Sequence, residues 1–403
     1  MILDHRPPHA ALHPNRSGTP SGIFFCKIGD RMRFAMNLFG SNTTVRIGGI
    51  KMHDATRAEL ESSASVRDFH ELAKQPRLEV LQCSAPVRDA VWSVLNEHFC
   101  TVRPDVQIRV YGHYSANCDL NFVRLLPNVR RFAADCLMQA SGIESIALIP
   151  NLETLSLGIF ELHDFNVLES ISPKLASLSL TATRSKKPSL APLRRFRSLR
   201  NLYLEGHCKD IEVISDLPDL EKVTLRSITT PDVGYLSKLP TLRSLAIKLG
   251  GIRNFKAIEG MQSIQYLELW QIRDLHDIQF ISTLPGLQYF FLQSLPHIAQ
   301  LPRLSDSRSL RRVGIENLKA LHDFTALETA PALKEFFLID GRKQIPQQLL
   351  PVLNNPNLRR ASAFFGSERK NAEFLQLRDK YGKSEMIPSE PLSSEDSPMN
   401  GHG

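Results

Sequence analysis

The sequence predicts an α/β fold, a curved solenoid with a parallel concave β-sheet, short 3₁₀ or helical segments on the convex side, and helical caps. An apolar pattern of the form L-x-x-L-x-L recurs along the 403-residue chain. From Leu220 to Leu333 its first positions follow one another at 22 or 23 residues. Between these hexapeptides apolar residues recur at steps of three, as Ile252, Phe255 and Ile258 do. This step suits a 3₁₀ turn rather than a long α-helix.

The hexapeptide predicts a strand because its apolar positions alternate. In the repeat that begins at Ile264, alternation sends Leu267 and Leu269 inward and Tyr266 and Glu268 outward. One such strand cannot bury its apolar side alone, so successive repeats must stack and share one long core. The clear members of the array begin at Val129, Leu152, Leu175, Leu199, Leu220, Leu242, Ile264, Leu287, Leu310 and Leu333.

A repeat length in the twenties with this hexapeptide is the signature of leucine-rich repeats. With its compact convex segments, the chain resembles the internalin-like bacterial leucine-rich repeat proteins over most of its length. Members of that family usually carry Asn or Cys three residues after the last strand leucine, where the side chain caps the backbone of the turn. Here apolar residues or glycine stand instead, so we expect backbone groups or water to satisfy the turns. The positions are Ile228, Gly250, Ile272, Leu295, Leu318 and Gly341.

Changes in composition divide the chain into segments. A stretch rich in Pro and His opens it, and this stretch is either a disordered leader or lies upstream of a translation start at Met32 or Met36. Ser367 predicts the cap of a final helix that covers the open edge of the last strand. In chain order we predict the leader (1–40), an N-terminal cap with helices and one repeat-like turn (41–104), the repeat array (105–366), the C-terminal capping helix (367–382) and a disordered tail (383–403).

Charge and cysteine content bound the environment of the protein. The net charge of +7 is a mild excess for this length and neither requires nor excludes nucleic acid. A row of outward arginines is interrupted by Glu153, Glu221 and Glu335, so we expect a solvated rim rather than phosphate binding. No apolar run approaches the length of a membrane span. The 6 cysteines form no C-x-x-C pair, which favours reduced thiols in the cytoplasm, and the alternative is an effector secreted into host cells.

The sequence carries no convincing catalytic or cofactor motif. Its closest approach to a ligand cluster is His98, Cys100, His113 and Cys118, whose spacing matches no zinc pattern. We therefore predict no metal, no cofactor and no enzymatic activity. An enzyme with a site in the N-terminal cap, built on His98, Cys100 or His113, is the alternative from another class.

The outward residues of the strands change character along the array. Early repeats present small polar side chains such as Ser156 and Ser179, whereas the repeats from Ile264 onward present aromatic ones. Exposed apolar clusters usually mark interaction sites, and Trp, Tyr and Arg are enriched in binding hot spots. The alternative is that the rings only pack against one another along the sheet. The predicted partner-binding residues are Tyr266, Glu268, Trp270, Tyr289, Phe291, Arg311, Arg312, Gly314, Glu316 and Phe337.

These residues predict a non-catalytic scaffold that recognises a protein partner on its concave face. Adjacent strands lie about 4.8 Å apart. Stacking therefore places Phe291 and Phe337 in the two strands on either side of Gly314. Because Gly314 has no side chain, we expect a notch between the two rings that accepts an apolar anchor. Replacing Trp270 or Phe291 by Ala is expected to weaken binding by about 2 kcal/mol or more and to leave the fold nearly intact.

Leu267→Asp tests the predicted register. We expect it to unfold the protein locally or globally, because an uncompensated buried carboxylate costs several kcal/mol, a large part of the stability margin of a domain. Thermal melting followed by circular dichroism measures the loss. A melting curve like that of the unaltered protein would show that Leu267 does not face the core.

Overall fold

The computed structural model describes residues 45–112, 117–185, 187–390 and residue 392. Within these ranges the strands form one sheet of 16 strands and a second sheet of 2. The strands are β1 (Arg46–Ile47), β2 (Ile50–Met52), β3 (Arg57–Leu60), β4 (Val80–Cys83), β5 (Gln107–Tyr111), β6 (Asn117–Asp119), β7 (Arg131–Leu137), β8 (Gln139–Ser141), β9 (Thr154–Ile159), β10 (Ser177–Leu180), β11 (Asn201–Glu205), β12 (Lys222–Arg226), β13 (Ser244–Lys248), β14 (Tyr266–Trp270), β15 (Tyr289–Gln293), β16 (Arg312–Glu316), β17 (Glu335–Ile339) and β18 (Arg360–Ala363).

Short helical segments connect these strands. The α-helices are α1 (Val66–Ala73), α2 (Asp89–Leu95), α3 (Leu350–Asn354) and α4 (Glu368–Lys380), and a π-helical turn (Asn96–Cys100) continues α2. The 3₁₀ segments are Asn121–Leu125, Ile143–Leu148, Asn166–Glu169, Ala191–Arg195, Ile211–Asp216, Gly234–Leu236, Lys256–Ile258, Gln279–Thr283, Thr325–Leu327 and Pro346–Leu349. None of the helices in the described ranges has the length and hydropathy of a membrane span.

The large sheet follows the order of the chain. Its first three strands pair antiparallel, and from β3 to β18 neighbouring strands are parallel. In the middle of the array Leu267 pairs with Leu245 on one side and Phe290 on the other. Equivalent positions of successive repeats therefore lie beside one another. The predicted solenoid with a parallel sheet and short convex helical segments is confirmed.

The core runs between the sheet and the convex segments. Inward strand residues such as Leu267 and Leu269 are fully buried in it. The convex side contributes residues at the predicted steps of three, and the rings of Phe255 and Phe280 stack with centroids 4.6 Å apart. Each repeat thus buries its apolar face against its two neighbours, as stacking requires.

Left-handed backbone satisfies the turns that lack polar capping side chains. The residue after each strand from β12 to β17 has a positive φ, between 49° and 54°. Its N–H then points along the solenoid: Leu249 donates to the carbonyl of Trp270 at 2.8 Å, and Gln271 donates to that of Gln293 at 3.0 Å. A left-handed L-residue costs roughly 1–2 kcal/mol, and here the hydrogen bond to the next repeat offsets it. The residues are Ser227, Leu249, Gln271, Ser294, Asn317 and Asp340.

The open edge of β18 is closed by extended chain rather than by the final helix. Ser384 pairs with the edge, since its carbonyl accepts from the N–H of Ala361 and its N–H donates to the carbonyl of Arg359, both at 2.9 Å. The helix α4 instead buries Phe374 against Phe365, with ring centroids 6.1 Å apart. A helix satisfies its own backbone and has no free groups for a strand edge, which explains the difference from our expectation.

The predicted disordered tail begins with an ordered segment. The Lys383 ammonium donates to the carbonyls of Asn355 at 3.0 Å and Leu358 at 2.9 Å. Residues 384–390 then lie against the concave face of the last strands, where Met386 is buried. The remainder of the tail, apart from residue 392, and the predicted leader lie outside the described residues.

Gly286→Ala tests how tightly neighbouring turns approach. A Cβ at this position would lie 2.1 Å from the backbone oxygen of Gln262, so we expect a loss of about 1–3 kcal/mol, as for other overpacked sites. Urea unfolding followed by fluorescence measures it. The matched control is Gly234→Ala, whose Cβ meets the flexible Asp232 side chain at 3.0 Å. Equal midpoints for both variants would contradict the close approach.

Candidate functional site

Two adjoining grooves mark the concave face. The larger, of about 640 Å³, crosses β10 to β14, and the smaller, of about 410 Å³, lies beside it toward the N-terminus. Ser177 and Ser179 line both grooves. The outward residues that line the larger groove are Ser177, Ser179, Asn201, Tyr203, Lys222, Thr224, Arg226, Ser244, Ala246, Lys248, Tyr266 and Glu268.

A ring-and-cation cluster lies beside the C-terminal end of the larger groove and shares Arg226, Lys248 and Tyr266 with its lining. The Arg226 guanidinium lies 5.5 Å from the centroid of the Trp270 ring, and the Lys248 ammonium lies 5.7 Å from it. Both distances fall within the range of cation–π attraction. Beside it Tyr266 meets Tyr289 edge to face, with centroids 5.1 Å apart, as their paired positions in β14 and β15 require. All of these side chains are half-buried, so one surface of each remains open.

Two acids hold this cluster in place, of which Glu268 is buried and Glu205 is half-buried. Glu268 pairs with the Lys248 ammonium at 2.8 Å and accepts from the Tyr266 hydroxyl at 3.2 Å. Three repeats earlier, Glu205 accepts from Arg226 Nε at 3.0 Å and from the Tyr203 hydroxyl at 3.2 Å. Burial and the Glu205 charge raise the pKa of Tyr203 well above its ordinary value, so this hydroxyl stays protonated. The cations are therefore fixed in direction, and Glu268 is a support rather than an exposed contact.

Several polar atoms on this face lack partners. Ser156 Oγ, Ser179 Oγ and Trp270 Nε1 are buried and have no hydrogen-bond partner within the described part of the chain. Ser156 and Ser179 are paired neighbours in β9 and β10. A buried donor without an acceptor costs roughly 1–3 kcal/mol. The concave face thus holds hydrogen-bonding capacity that its own side chains leave unused.

The C-terminal part of the predicted site is buried, contrary to our expectation. Phe291 and Phe337 do flank Gly314 in the pairing of β15, β16 and β17, but both rings are 0% exposed. They meet each other above the glycine, with centroids 5.9 Å apart. A Cβ on Gly314 would lie 2.3 Å from Phe337. The rings themselves fill the expected notch, and Met386 covers them.

Part of the polar rim that we expected around this patch is also buried. Arg312 is 2% exposed and its Nε donates to Glu335 Oε2 at 2.6 Å. Its guanidinium also lies 5.5 Å from the ring centroid of Tyr289. Arg311 and Glu316 are half-buried and remain at the surface. The predicted residues therefore divide into an open set around Trp270 and a covered set around Phe291.

Sequence reasoning missed a polar network on the concave face of the N-terminal strands. Arg109 donates to Asp135 and Gln82, each at 2.8 Å, and Gln82 donates to Glu59 at 3.1 Å. Burial raises the pKa of Glu59, but hydrogen bonds from Ser84, His53, Gln82 and Tyr111 outweigh it and lower that pKa. The sequence of β5 could have indicated this network, because Arg109 lies at the outward position between the buried Ile108 and Val110.

The structure describes two of the three residues of the alternative site in the N-terminal cap. Cys100 is buried, and burial raises the pKa of its thiol to about 12, so it carries its proton at neutral pH. His98 lies with its ring 5.4 Å from that of His70, and His113 falls outside the described residues. Within the described ranges, no group of three or more His, Cys, Asp or Glu residues is placed to hold a metal.

Known proteins share this architecture. No protein-family model matches the sequence, and no curated protein matches it significantly. An internalin from Listeria monocytogenes is 19% identical with a TM-score of 0.48, over 76% of this chain and 86% of the internalin chain. The mouse RP105/MD-1 complex contains a chain that is 15% identical with a TM-score of 0.50, over 77% of this chain and 59% of that one.

The Toll–Spatzle complex of Drosophila contains a further chain of this kind. It is 10% identical with a TM-score of 0.50, and the match covers 82% of this chain and 53% of that one. At such identities the likeness concerns the fold alone. That fold is the leucine-rich repeat solenoid, which the strand pairing shows independently.

Phe291→Ala tests whether Phe291 belongs to the covered set. Because the ring is fully buried, we expect a loss of about 3–5 kcal/mol in unfolding free energy, as for other buried Phe residues. Urea unfolding measures it. The matched control is Phe160→Ala, since Phe160 is 40% exposed and should lose less than about 1 kcal/mol. A Phe291 variant as stable as the control would show that the ring is open to solvent.

Proposed function

We propose that the protein is a non-catalytic scaffold that binds another protein along its concave face. The observation that carries the proposal is the open groove from β10 to β14, whose lining shares Arg226, Lys248 and Tyr266 with the half-buried Trp270 cluster. Its volume of about 640 Å³ suits an inserted side chain or segment of a partner. The known-protein matches fit the proposal without identifying a partner, since two of them are chains in complexes with other proteins.

Residue type and rigidity favour binding at this end of the groove. Trp, Tyr and Arg are the residues most enriched in binding hot spots, and Trp270, Tyr266 and Arg226 meet here. Acid partners hold Arg226 and Tyr266 in one arrangement before binding. Such preorganisation reduces the entropy that a partner must overcome. The unpartnered Trp270 Nε1 adds a potential hydrogen-bond donor at this end of the groove.

The proposed contact set therefore differs from the sequence prediction. It keeps Tyr266, Trp270 and the edge of Tyr289, and it adds Tyr203, Arg226 and Lys248 from the preceding strands. Glu268 acts as a support for Lys248. Phe291, Phe337, Gly314 and Arg312 lie beneath the chain's own C-terminal segment and do not contact a partner in this state. Arg311 and Glu316 remain proposed rim residues.

We further place the protein in the cytoplasm. Cys83, Cys100, Cys118 and Cys208 are free thiols, and reduced thiols are typical of a reducing compartment. A fusion of residues 1–60 to a reporter tests this placement. Retention inside the cell supports it, whereas export of the fusion would favour a secreted effector.

Trp270→Ala tests the proposed function. The partner is isolated by affinity purification from the native cell, and its dissociation constant is then measured by calorimetry. We expect the variant to lose about 2 kcal/mol or more of binding, which corresponds to roughly 30-fold in Kd. Leu148→Ala is the control, because Leu148 is exposed in a convex 3₁₀ segment. A partner that binds both variants with unchanged affinity would move the site elsewhere.

A further inference from the structure

The chain covers part of its own concave face. After pairing with the edge of β18, the backbone crosses back over the sheet. The hydroxyl of Ser362 donates to the Met386 carbonyl at 2.7 Å and accepts from the Met386 N–H at 3.1 Å. One outward serine thus holds both backbone groups of a single residue. This is how an extended peptide is held on a binding surface, by main-chain hydrogen bonds to fixed partners.

An apolar side chain anchors the crossing segment. Met386 is 1% exposed and packs on Phe291 and Phe337, with Tyr289 and Ile339 beside them. This cluster lies on the concave side of the sheet and is separate from the main core. Methionine is unbranched and fills irregular surfaces easily. Without the segment, the rings would form the exposed aromatic patch that the sequence pattern predicts.

Two arginines complete the contact. Arg360 donates from Nε to the Glu385 carbonyl at 3.0 Å, and its guanidinium pairs with the Glu390 carboxylate. Arg312 donates to the Glu390 carbonyl at 2.7 Å. Both arginines are themselves positioned by Glu335, at 2.6 Å for Arg312 and 3.4 Å for Arg360. A preset pair of guanidinium groups of this kind selects a carboxylate and a carbonyl on the segment it binds.

Fewer buried side chains hold this segment in place than hold each repeat. Ser384, Glu385, Ile387 and Ser389 are exposed, and Met386 and Pro388 alone bury their side chains between residues 384 and 390. The repeats beneath it are each held by a full strand of ladder hydrogen bonds and several buried leucines. The surface under the segment is therefore complete without it. Removing the segment would expose the patch and the edge of β18, whereas the main core does not include Met386.

We propose that residues 384–390 are a built-in occupant of a peptide-binding site, displaced when a partner binds. The site takes an extended acidic peptide whose apolar side chain fills the place of Met386 and whose carboxylate, four residues later, meets Arg360. This proposal rests on the proposed function, because it names the class of ligand and a second contact area on the same face. A tethered occupant acts at an effective concentration in the millimolar range. A partner must therefore bind the site tightly or contact the Trp270 cluster as well.

The test uses the full-length chain and a labelled synthetic peptide of residues 384–392. In the unaltered protein the site is filled in cis, and we expect weak binding by fluorescence anisotropy. Met386→Asp places a charge against the rings and should release the segment, so the peptide should bind at least about tenfold more tightly. The peptide carrying Met386→Ser should bind neither protein. A folded Met386→Asp protein that gains no affinity for the peptide would overturn the proposal, and so would a Met386→Asp protein that fails to fold.

Hydrogen exchange on the unaltered protein gives a second measurement. If the segment opens independently, the amides of Met386 and Ala361 should exchange at least about 100-fold faster than that of Leu267 in the centre of the sheet. Exchange at the same rate would make the segment a fixed part of the fold and overturn the proposal. The Trp270→Ala variant separates the two claims, since it should not alter peptide binding. A partner weakened by Trp270→Ala but unaffected by Met386→Asp leaves the proposed function standing and rejects this inference.

Discussion

Every feature of this structure depends on backbone pairing between repeats that cannot bury their apolar faces alone. A strand such as β14 has one side of leucines, and these become a core only when β13 and β15 supply the adjoining residues. Stacking in register therefore comes first, and both faces of the sheet follow from it. The inward face becomes the continuous core, and the outward face becomes a continuous surface on which side chains from distant parts of the sequence meet. The Trp270 cluster exists because Arg226, Lys248 and Trp270 occupy the same position in three successive repeats.

The sequence predicts the inward half of this arrangement well, for a physical reason. Burial of a leucine in a stacked repeat is decided by its position within the repeat, and that position recurs every 22 or 23 residues. The parallel sheet, the convex 3₁₀ segments and the neighbours of Gly314 all follow from the period. The turns could be predicted only in part. Their need for backbone hydrogen bonds was evident, but the left-handed residues that supply them, such as Leu249 and Gln271, have no common residue type.

The outward half could not be predicted to the same depth. Alternation shows that Phe291 and Trp270 both point outward, and it does not show which of them is then covered. Phe291 is covered by Met386, which lies 95 positions further along the chain in a segment of low apolar content. Long-range contacts of this kind leave no periodic trace. Glu268 and Arg312 fall at outward positions of the pattern, but each is buried beside an ion-pair partner in an adjacent strand.

The left-handed turns have a consequence for how such a chain changes length. The junction from β13 to β14 uses the same strand register and the same turn hydrogen bond as the junction from β14 to β15. A duplicated or deleted genetic unit of one whole repeat would therefore meet matching surfaces on both sides. Repeats of 22 and 23 residues share this turn hydrogen bond, so the convex side of a repeat accommodates a difference of one residue. Recombination in whole repeats can thus lengthen or shorten the solenoid. It can thereby change the distance between the Trp270 cluster and the aromatic rings that Met386 covers.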